Sequence, residues 1–344
     1  MVTSRIIVDP SVFSPDHIPT KLAGREKQAE RLTSLLNSSA GPGMPVRAWL
    51  HGRTGTGKTV TARSVADSHA VTNMASSIYV DCCENRSAYS VLDTMLTQMR
   101  ALCAETPQLA YKSQRLRQAV KETPCVAVID SIDCMAAQER DTCLRILADT
   151  TGLHLLCISE TEEPFTELKE QTANRIRPVF IEFPEYDTGT LRDILLQRCA
   201  TGLNPGSWSH ELVSEVSRMS GGDARVAIQM LRSAAHMADC EVTGFIEKRH
   251  VETGHEKAQT LKREQKLRHL GIHHRMMYEI VRKRGRIGTR RLAKEYRKLC
   301  TERKVAPVAR RSFYRYIDAM QRLRLLRGER TRGFGSVTNL EVVE

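Results

Sequence analysis

Five short apolar runs alternate with longer amphipathic stretches through the first half of the chain: Val46–Leu50, Ser77–Cys82, Cys125–Asp130, Leu153–Ser159 and Val179–Phe183. Cys125–Asp130 and Leu153–Ser159 are apolar at consecutive positions, the pattern of strands covered on both faces. Between the runs, Ala88–Cys103 places Val91, Met95 and Met99 at i, i+4 and i+8, one face of a helix, and Thr59–Asp67 predicts another. Strands alternating with helices predict an α/β domain over 1–185, doubly wound around a parallel sheet. A sheet of that kind gathers its ligands at the carboxyl ends of its strands.

Beyond Phe183 the pattern becomes helical. Helices are predicted over Leu191–Cys199, near Glu211–Met219, and from Asp223, an N-cap followed by the apolar stripe Val226, Met230, Leu231 and Ala234. These form a second domain, 186–260. In 261–344 the stripes are Leu270, Met277 and Val281, then Leu292, Tyr296 and Leu299, then Phe313, Ile317, Met320 and Leu323. Leu325-Leu326 and Val337–Val343 can pair as strands around the glycine-rich segment Arg327–Gly335. Three helices and a hairpin predict a winged-helix domain, with Phe313 and Met320 in its core.

Charge sharpens that division. Residues 261–344 carry 24 Lys and Arg against 8 Asp and Glu, whereas residues 1–260 carry 28 against 32. An excess of this size in a small module points to a polyanion, and the winged-helix pattern makes duplex DNA the expected partner. The third helix puts Arg310, Arg311, Tyr314 and Arg315 on its free face, suited to a major groove. Arg330 and Arg332 at the hairpin tip suit a backbone or minor-groove contact. No apolar run reaches the roughly 18 residues of a membrane span, and the N-terminus has no signal-peptide pattern. The ten cysteines lack metal-ligand spacing, so a reducing compartment is expected: cytoplasmic and nucleoid-associated, or nuclear in a eukaryote.

Gly52-Arg-Thr-Gly-Thr-Gly-Lys-Thr59 follows the first predicted strand and opens a helix, the context of a phosphate-binding loop. Gly55, Thr56 and Gly57 bring backbone N–H groups to phosphate oxygens, Lys58 reaches the β and γ phosphates, and the Thr59 hydroxyl faces Mg²⁺. ATP or ADP with Mg²⁺ is therefore the expected cofactor. Asp130 ends the third predicted strand, where a carboxylate can hold the metal's shell. Next to it stands Ser131, which cannot act as a base, and Asp133 lies two residues further on. Loss of a positioned general base costs about 10²–10⁴ in rate.

These residues together resemble the AAA+ ATPases, and within them the archaeal-type initiators related to origin recognition complex subunit one and cell-division-cycle protein six. The resemblance runs nearly end to end. Pro19–Glu26 is similar to the segment that flanks the adenine, Ile158-Ser-Glu160 to sensor one, Phe183-Pro-Glu-Tyr186 with Arg198 to the opening of the lid, and Gly222-Asp-Ala-Arg225 to sensor two. The resemblance implies that Tyr186 and Arg198 contact the nucleotide from the lid and that Arg225 touches its γ-phosphate. It implies an arginine finger at Arg175 or Arg177, directed at a neighbouring molecule, and an extra DNA-facing helix within Asn85–Tyr111. Implied partners are duplex origin DNA, the replicative helicase, and the protein itself or a paralogous initiator, with no membrane.

The chain departs from that pattern twice: Ser131 stands where the family has Glu, and Glu160 where sensor one has Asn. Both changes bear on cleavage more than on binding. The expected activity is therefore ATP-dependent initiation with weak or absent hydrolysis. The alternatives are a non-catalytic ATP-bound regulator that loads no helicase, and an active ATPase in which Asp133 replaces the missing Glu.

Overall fold

The computed structural model describes residues 6–15, 17–38, 45–101, 108–268, 270–323, 325–331 and 337–343. They form two compact units, Met1–Ala258 and Gln259–Glu344.

In the first unit, α1 (Glu26–Ser38), β1 (Arg47–His51), α2 (Lys58–Asn73), β2 (Ser76–Asp81), α3 (Ala88–Gln98), α4 (Leu109–Glu122), β3 (Cys125–Asp130), α5 (Ala137–Ala148), β4 (Leu153–Ser159), α6 (Glu163–Thr166), α7 (Glu170–Ile176) and β5 (Val179–Glu182) follow one another. The strands make one parallel sheet in the order β2-β3-β4-β1-β5. The expected doubly wound architecture is thus present, and β3 is buried at all six positions, as its unbroken apolar run requires. Asp81 is level with Asp130, and His51 with both Ser159 and Glu182, so the polar strand ends line one edge. α3 stops five residues short of the expected Cys103. Arg100 turns left-handed (φ 53°) and Ala101 N–H bonds back to Leu96, ending the helix, while Cys103 lies outside the described residues. The apolar face of α3 (Val91, Leu92, Met95) packs into the core beside the sheet.

α8 (Thr188–Gly202), α9 (His210–Met219), α10 (Ala224–Cys240) and α11 (Lys248–Arg268) follow. The stripe Val226, Met230, Leu231 and Ala234 is buried, as its helical spacing predicts. Its core also takes in Ile6, Val12 and Phe13 from the chain's start, and Ile7 bridges to Leu203. Gly202 admits this segment: a Cβ there would stand 2.6 Å from the Phe13 ring.

The second unit contains α12 (Ile272–Arg284), β6 (Arg286–Gly288), α13 (Thr289–Glu302), α14 (Arg310–Arg322), β7 (Leu326–Thr331) and β8 (Val337–Val342). The two strands expected from sequence are three, in the order β6-β8-β7, antiparallel, because Ile287 pairs with Leu340. Met277, Val281, Leu292, Tyr296, Phe313, Ile317 and Met320 form the winged-helix core.

Candidate nucleotide site and basic helix face

The glycine-rich loop joins β1 to α2 at the polar edge of the sheet. Gly55 and Gly57 both adopt φ values near 83°, the left-handed region that L side chains rarely enter. Space forbids side chains there as well. A Cβ on Gly55 would stand 1.9 Å from an Asp223 carboxylate oxygen, and one on Gly57 2.3 Å from the Tyr186 hydroxyl. The loop is therefore covered by the opening of the lid, and Ala224 N–H donates to Gly55 O at 3.1 Å. Asp223 caps α10 by accepting from the N–H groups of Arg225 and Val226 at 3.0 and 3.1 Å. Arg225 lies in the first turn of that helix, exposed, and its charge reaches Lys58.

Lys58 Nζ folds back onto the carbonyls of Gly52 (2.6 Å) and Arg53 (2.9 Å). Burial lowers its pKa, while Glu160, Asp130 and Asp133 oppose that shift. Three carboxylates thus act on Lys58, with the charge of Arg225 opposing them. Glu160 is held by the loop itself, because its side chain accepts from the Thr54 hydroxyl and its carbonyl from Gly52 N–H at 3.2 Å. Thr56 is buried within the loop, its hydroxyl donating to Arg53 O at 2.7 Å. Asp133 sits at an exposed position in a short 3-10 turn, Ile132–Cys134. The protein bulk around it, with Glu160 second, pushes its carboxyl up to about 6.

Thr59 Oγ1 donates to Asp130 Oδ2 at 2.6 Å, closing loop and strand end together. A hydroxyl and a buried carboxylate in contact beside a helix N-terminus are hard oxygen donors, the set that suits Mg²⁺. Among the described residues no group of three or more His, Cys, Asp or Glu could hold a metal by itself, so phosphate oxygens and water must complete any shell. Ser131 takes a left-handed backbone (φ 54°), and its hydroxyl points back to Asp130 Oδ1 at 3.3 Å. It offers neither charge nor reach for activating water.

Beside the loop opens a small cleft of about 80 Å³ lined by Pro19, Leu22, Val60, Tyr186, Ile194 and Arg198, an apolar slot with polar ends. Arg198 is buried and donates to Val12 O at 2.5 Å, so the chain's start fixes it. Arg25 was not singled out from sequence. It is buried, donates to Thr56 O (2.8 Å) and Pro184 O (2.5 Å), and lies 3.9 Å from the Tyr186 ring centroid. One guanidinium thus ties loop, strand exit and lid. The signal that could have found it is the Gly24-Arg25 pair entering α1, where Gly24 is left-handed and a cation precedes no solvent-facing stripe.

Arg175 does not join this cleft. It ends α7 at the opposite edge of the sheet, and its Nη1 donates to both oxygens of Asp149 at 2.7 and 2.5 Å. Arg177 caps the same helix, exposed. Cys83 and Cys134 form a disulfide, because the turns after β2 and β3 bring their Cα atoms to 5.2 Å.

In the second unit, Arg310, Arg311, Tyr314 and Arg315 are all exposed on α14, while Phe313, Ile317 and Met320 are buried beneath them. Arg310 lies over the Tyr314 ring at 6.0 Å, holding the aromatic within the basic face. Arg330 falls in β7, and Arg332 lies outside the described residues.

Residues 21–158 match the AAA ATPase domain family, and residues 192–256 match the Cdc6 AAA+ ATPase-type lid domain, together more than half the chain. The chain is 27% identical over 299 residues to the ORC1-type DNA replication protein of Thermococcus onnurineus, spanning 80% of this chain and 72% of that protein. ORC1-type DNA replication protein 9 of Halobacterium salinarum is 25% identical over 338 residues, spanning 96% and 93%. In fold, the chain is similar to the Aeropyrum pernix ORC1 protein solved in complex with DNA (TM-score 0.82, 22% identity, 99% of this chain and 94% of that one). It also resembles Cdc6p from Pyrobaculum aerophilum (TM-score 0.68, 22% identity, 98% and 94%). A loop closed by its lid, the Cdc6-type lid itself and relatives that align along most of the chain agree: the chain belongs to the ORC1/Cdc6-type replication-initiator family of AAA+ proteins.

Proposed function

We propose that the chain is an ATP-binding replication initiator that grips duplex origin DNA, hydrolyses ATP slowly or not at all, and helps to recruit the replicative helicase. The observation that carries the DNA part is the exposed α14 face, Arg310, Arg311, Tyr314 and Arg315, in a fold shared with an ORC1 protein solved in complex with DNA. Arg330 and Arg332 extend the contact along the hairpin.

Nucleotide binding rests on the loop. Lys58 releases its two carbonyls for phosphate, Thr59 and Asp130 hold the metal, and Tyr186, Arg198 and Arg225 close over base and phosphates. Mg²⁺ supplies charge neutralisation between the phosphates when bound. Slow turnover follows from Ser131, whose hydroxyl is turned onto Asp130, and from Glu160, whose charge faces the γ-phosphate side. Asp133, its carboxyl raised to about 6 and ionised near neutrality, is the candidate substitute base. Arg175 acts, in this reading, on a neighbouring copy or a paralogue, after leaving Asp149.

Filter binding of origin-type duplex with ATP across salt concentrations tests the reading. With about six phosphate contacts, log K falls against log salt at a slope near −5. A flat line sinks the proposal. The regulator reading is favoured by the same Ser131 geometry, and a helicase pull-down with and without ATP separates the two.

A further inference from the structure

Tyr79 stands in β2 and belongs to none of the motifs that carry the family resemblance. Its hydroxyl donates to Asp130 Oδ2 at 3.0 Å, the oxygen that also accepts from Thr59 at 2.6 Å. Ser131 Oγ approaches the other oxygen at 3.3 Å, so three hydroxyls fix the plane of this carboxylate. Tyr79 is itself fixed on three sides. Its backbone N–H donates to Gln98 Oε1 at 3.1 Å, and its carbonyl accepts from Gln98 Nε2 at 2.7 Å, which closes the outer edge of β2 at this point. The Arg63 guanidinium, one turn beyond Thr59 in α2, lies 4.8 Å from its ring centroid. Register explains why a long side chain is needed: Tyr79 is level with Val128, two positions before Asp130, so only a phenol spans the gap.

We infer that Tyr79 is a positioning residue for Asp130. By holding Oδ2 against Thr59, it presets the carboxylate for the nucleotide-bound metal. The inference rests on the nucleotide–metal reading of this site. Removing the hydroxyl lets the carboxylate swing while the ring stays under Arg63.

The test is a titration of the full chain with a fluorescent ATP analogue, once with Mg²⁺ and once with EDTA, for wild type and Tyr79→Phe. A hydrogen bond to a charged group is lost, so the gain in affinity that Mg²⁺ gives should shrink about five- to tenfold, with the EDTA affinity unchanged. A purely structural tyrosine would lower both affinities together or neither, and either result overturns the inference. If wild type itself binds no nucleotide, or binds it equally with and without Mg²⁺, the site reading fails first. A Mg²⁺ gain preserved in Tyr79→Phe sinks only the role of Tyr79.

Discussion

The nucleotide cleft and the basic face of α14 handle charge in opposite ways. In the cleft, Lys58, Arg25, Arg198 and Asp130 are all buried and each is tied to a fixed partner, for Arg25, Arg198 and Asp130 one far away in the sequence. On α14 the cations are exposed within one six-residue stretch and stand over a continuous apolar stripe. Buried charges depend on partner geometry, because a misplaced partner leaves a desolvated ion uncompensated. Exposed charges act through counterions and add nearly independently. The first region should therefore respond to single atoms and pH, the second to the number of cations and to salt.

The strongest challenge to that contrast is Arg310→Ala/Arg311→Ala/Arg315→Ala. If each arginine neutralises one phosphate, the salt slope becomes shallower by about 2.7, and affinity at 0.1 M salt drops by roughly two to three decades. Filter binding checks both numbers. ATP affinity should not move. A change in ATP affinity would mean that the basic face is not electrically separate from the cleft.

Lys58→Ala comes next. It removes a cation on which Glu160, Asp130 and Asp133 all act, and ATP affinity should fall about a hundredfold or more, roughly 2.7 kcal/mol. Isothermal titration reads this directly. Duplex affinity in the absence of nucleotide should stay within about a factor of two, the mirror image of the triple-arginine result.

The same contrast explains what was legible in the sequence. The α14 face was readable because its apolar stripe Phe313, Ile317 and Met320 fixes which side is free, and four cationic or aromatic residues then fall on it by helical geometry alone. β3 and β4 were readable to the residue because each is a mostly apolar run that stops at a polar residue, Asp130 or Ser159. The loop was readable because its glycines are required by backbone angle. Arg25 and Tyr79 were missed because their roles come from partners 31 to 159 residues away, which no periodicity encodes. β6 was missed for a related reason: a three-residue strand exists only because β8 is there to pair with it. The Cys83–Cys134 link likewise depends on two turns meeting, not on spacing.

Glu160→Asn is a smaller perturbation within the cleft. Asparagine keeps an acceptor for the Thr54 hydroxyl and removes a negative charge from the phosphate side. One Coulomb contact of about 1 kcal/mol in a solvated cleft gives roughly a fivefold gain in affinity for ATP over ADP without metal. Equal gains for both nucleotides would place Glu160 away from the γ-phosphate, and would leave Ser131 as the only cause of slow hydrolysis.

The smallest effect is also the one that separates the two regions most cleanly, because only the cleft should titrate near neutrality. Asp133 has its carboxyl raised to about 6 by crowding and by Glu160, so its charge is absent below that value and present above it. A raised carboxyl ionises less readily in the folded chain than in the unfolded one. Stability is therefore lost as pH rises from about 4 to about 6. The same ionisation adds negative charge beside the phosphates, so ATP affinity should fall about threefold between roughly pH 5.5 and 7.5 at constant ionic strength. Asp133→Asn removes both trends: it raises the melting temperature at about pH 7.5 but not at about pH 4, and it flattens the affinity profile across the same window. Duplex binding through Arg310, Arg311, Tyr314 and Arg315 draws on no histidine, so it should show no inflection near pH 6 in either protein. An inflection shared by ATP and DNA binding, and abolished for both by Asp133→Asn, would show that the nucleotide site governs the basic face through this carboxyl, and the independence argued from burial would be wrong.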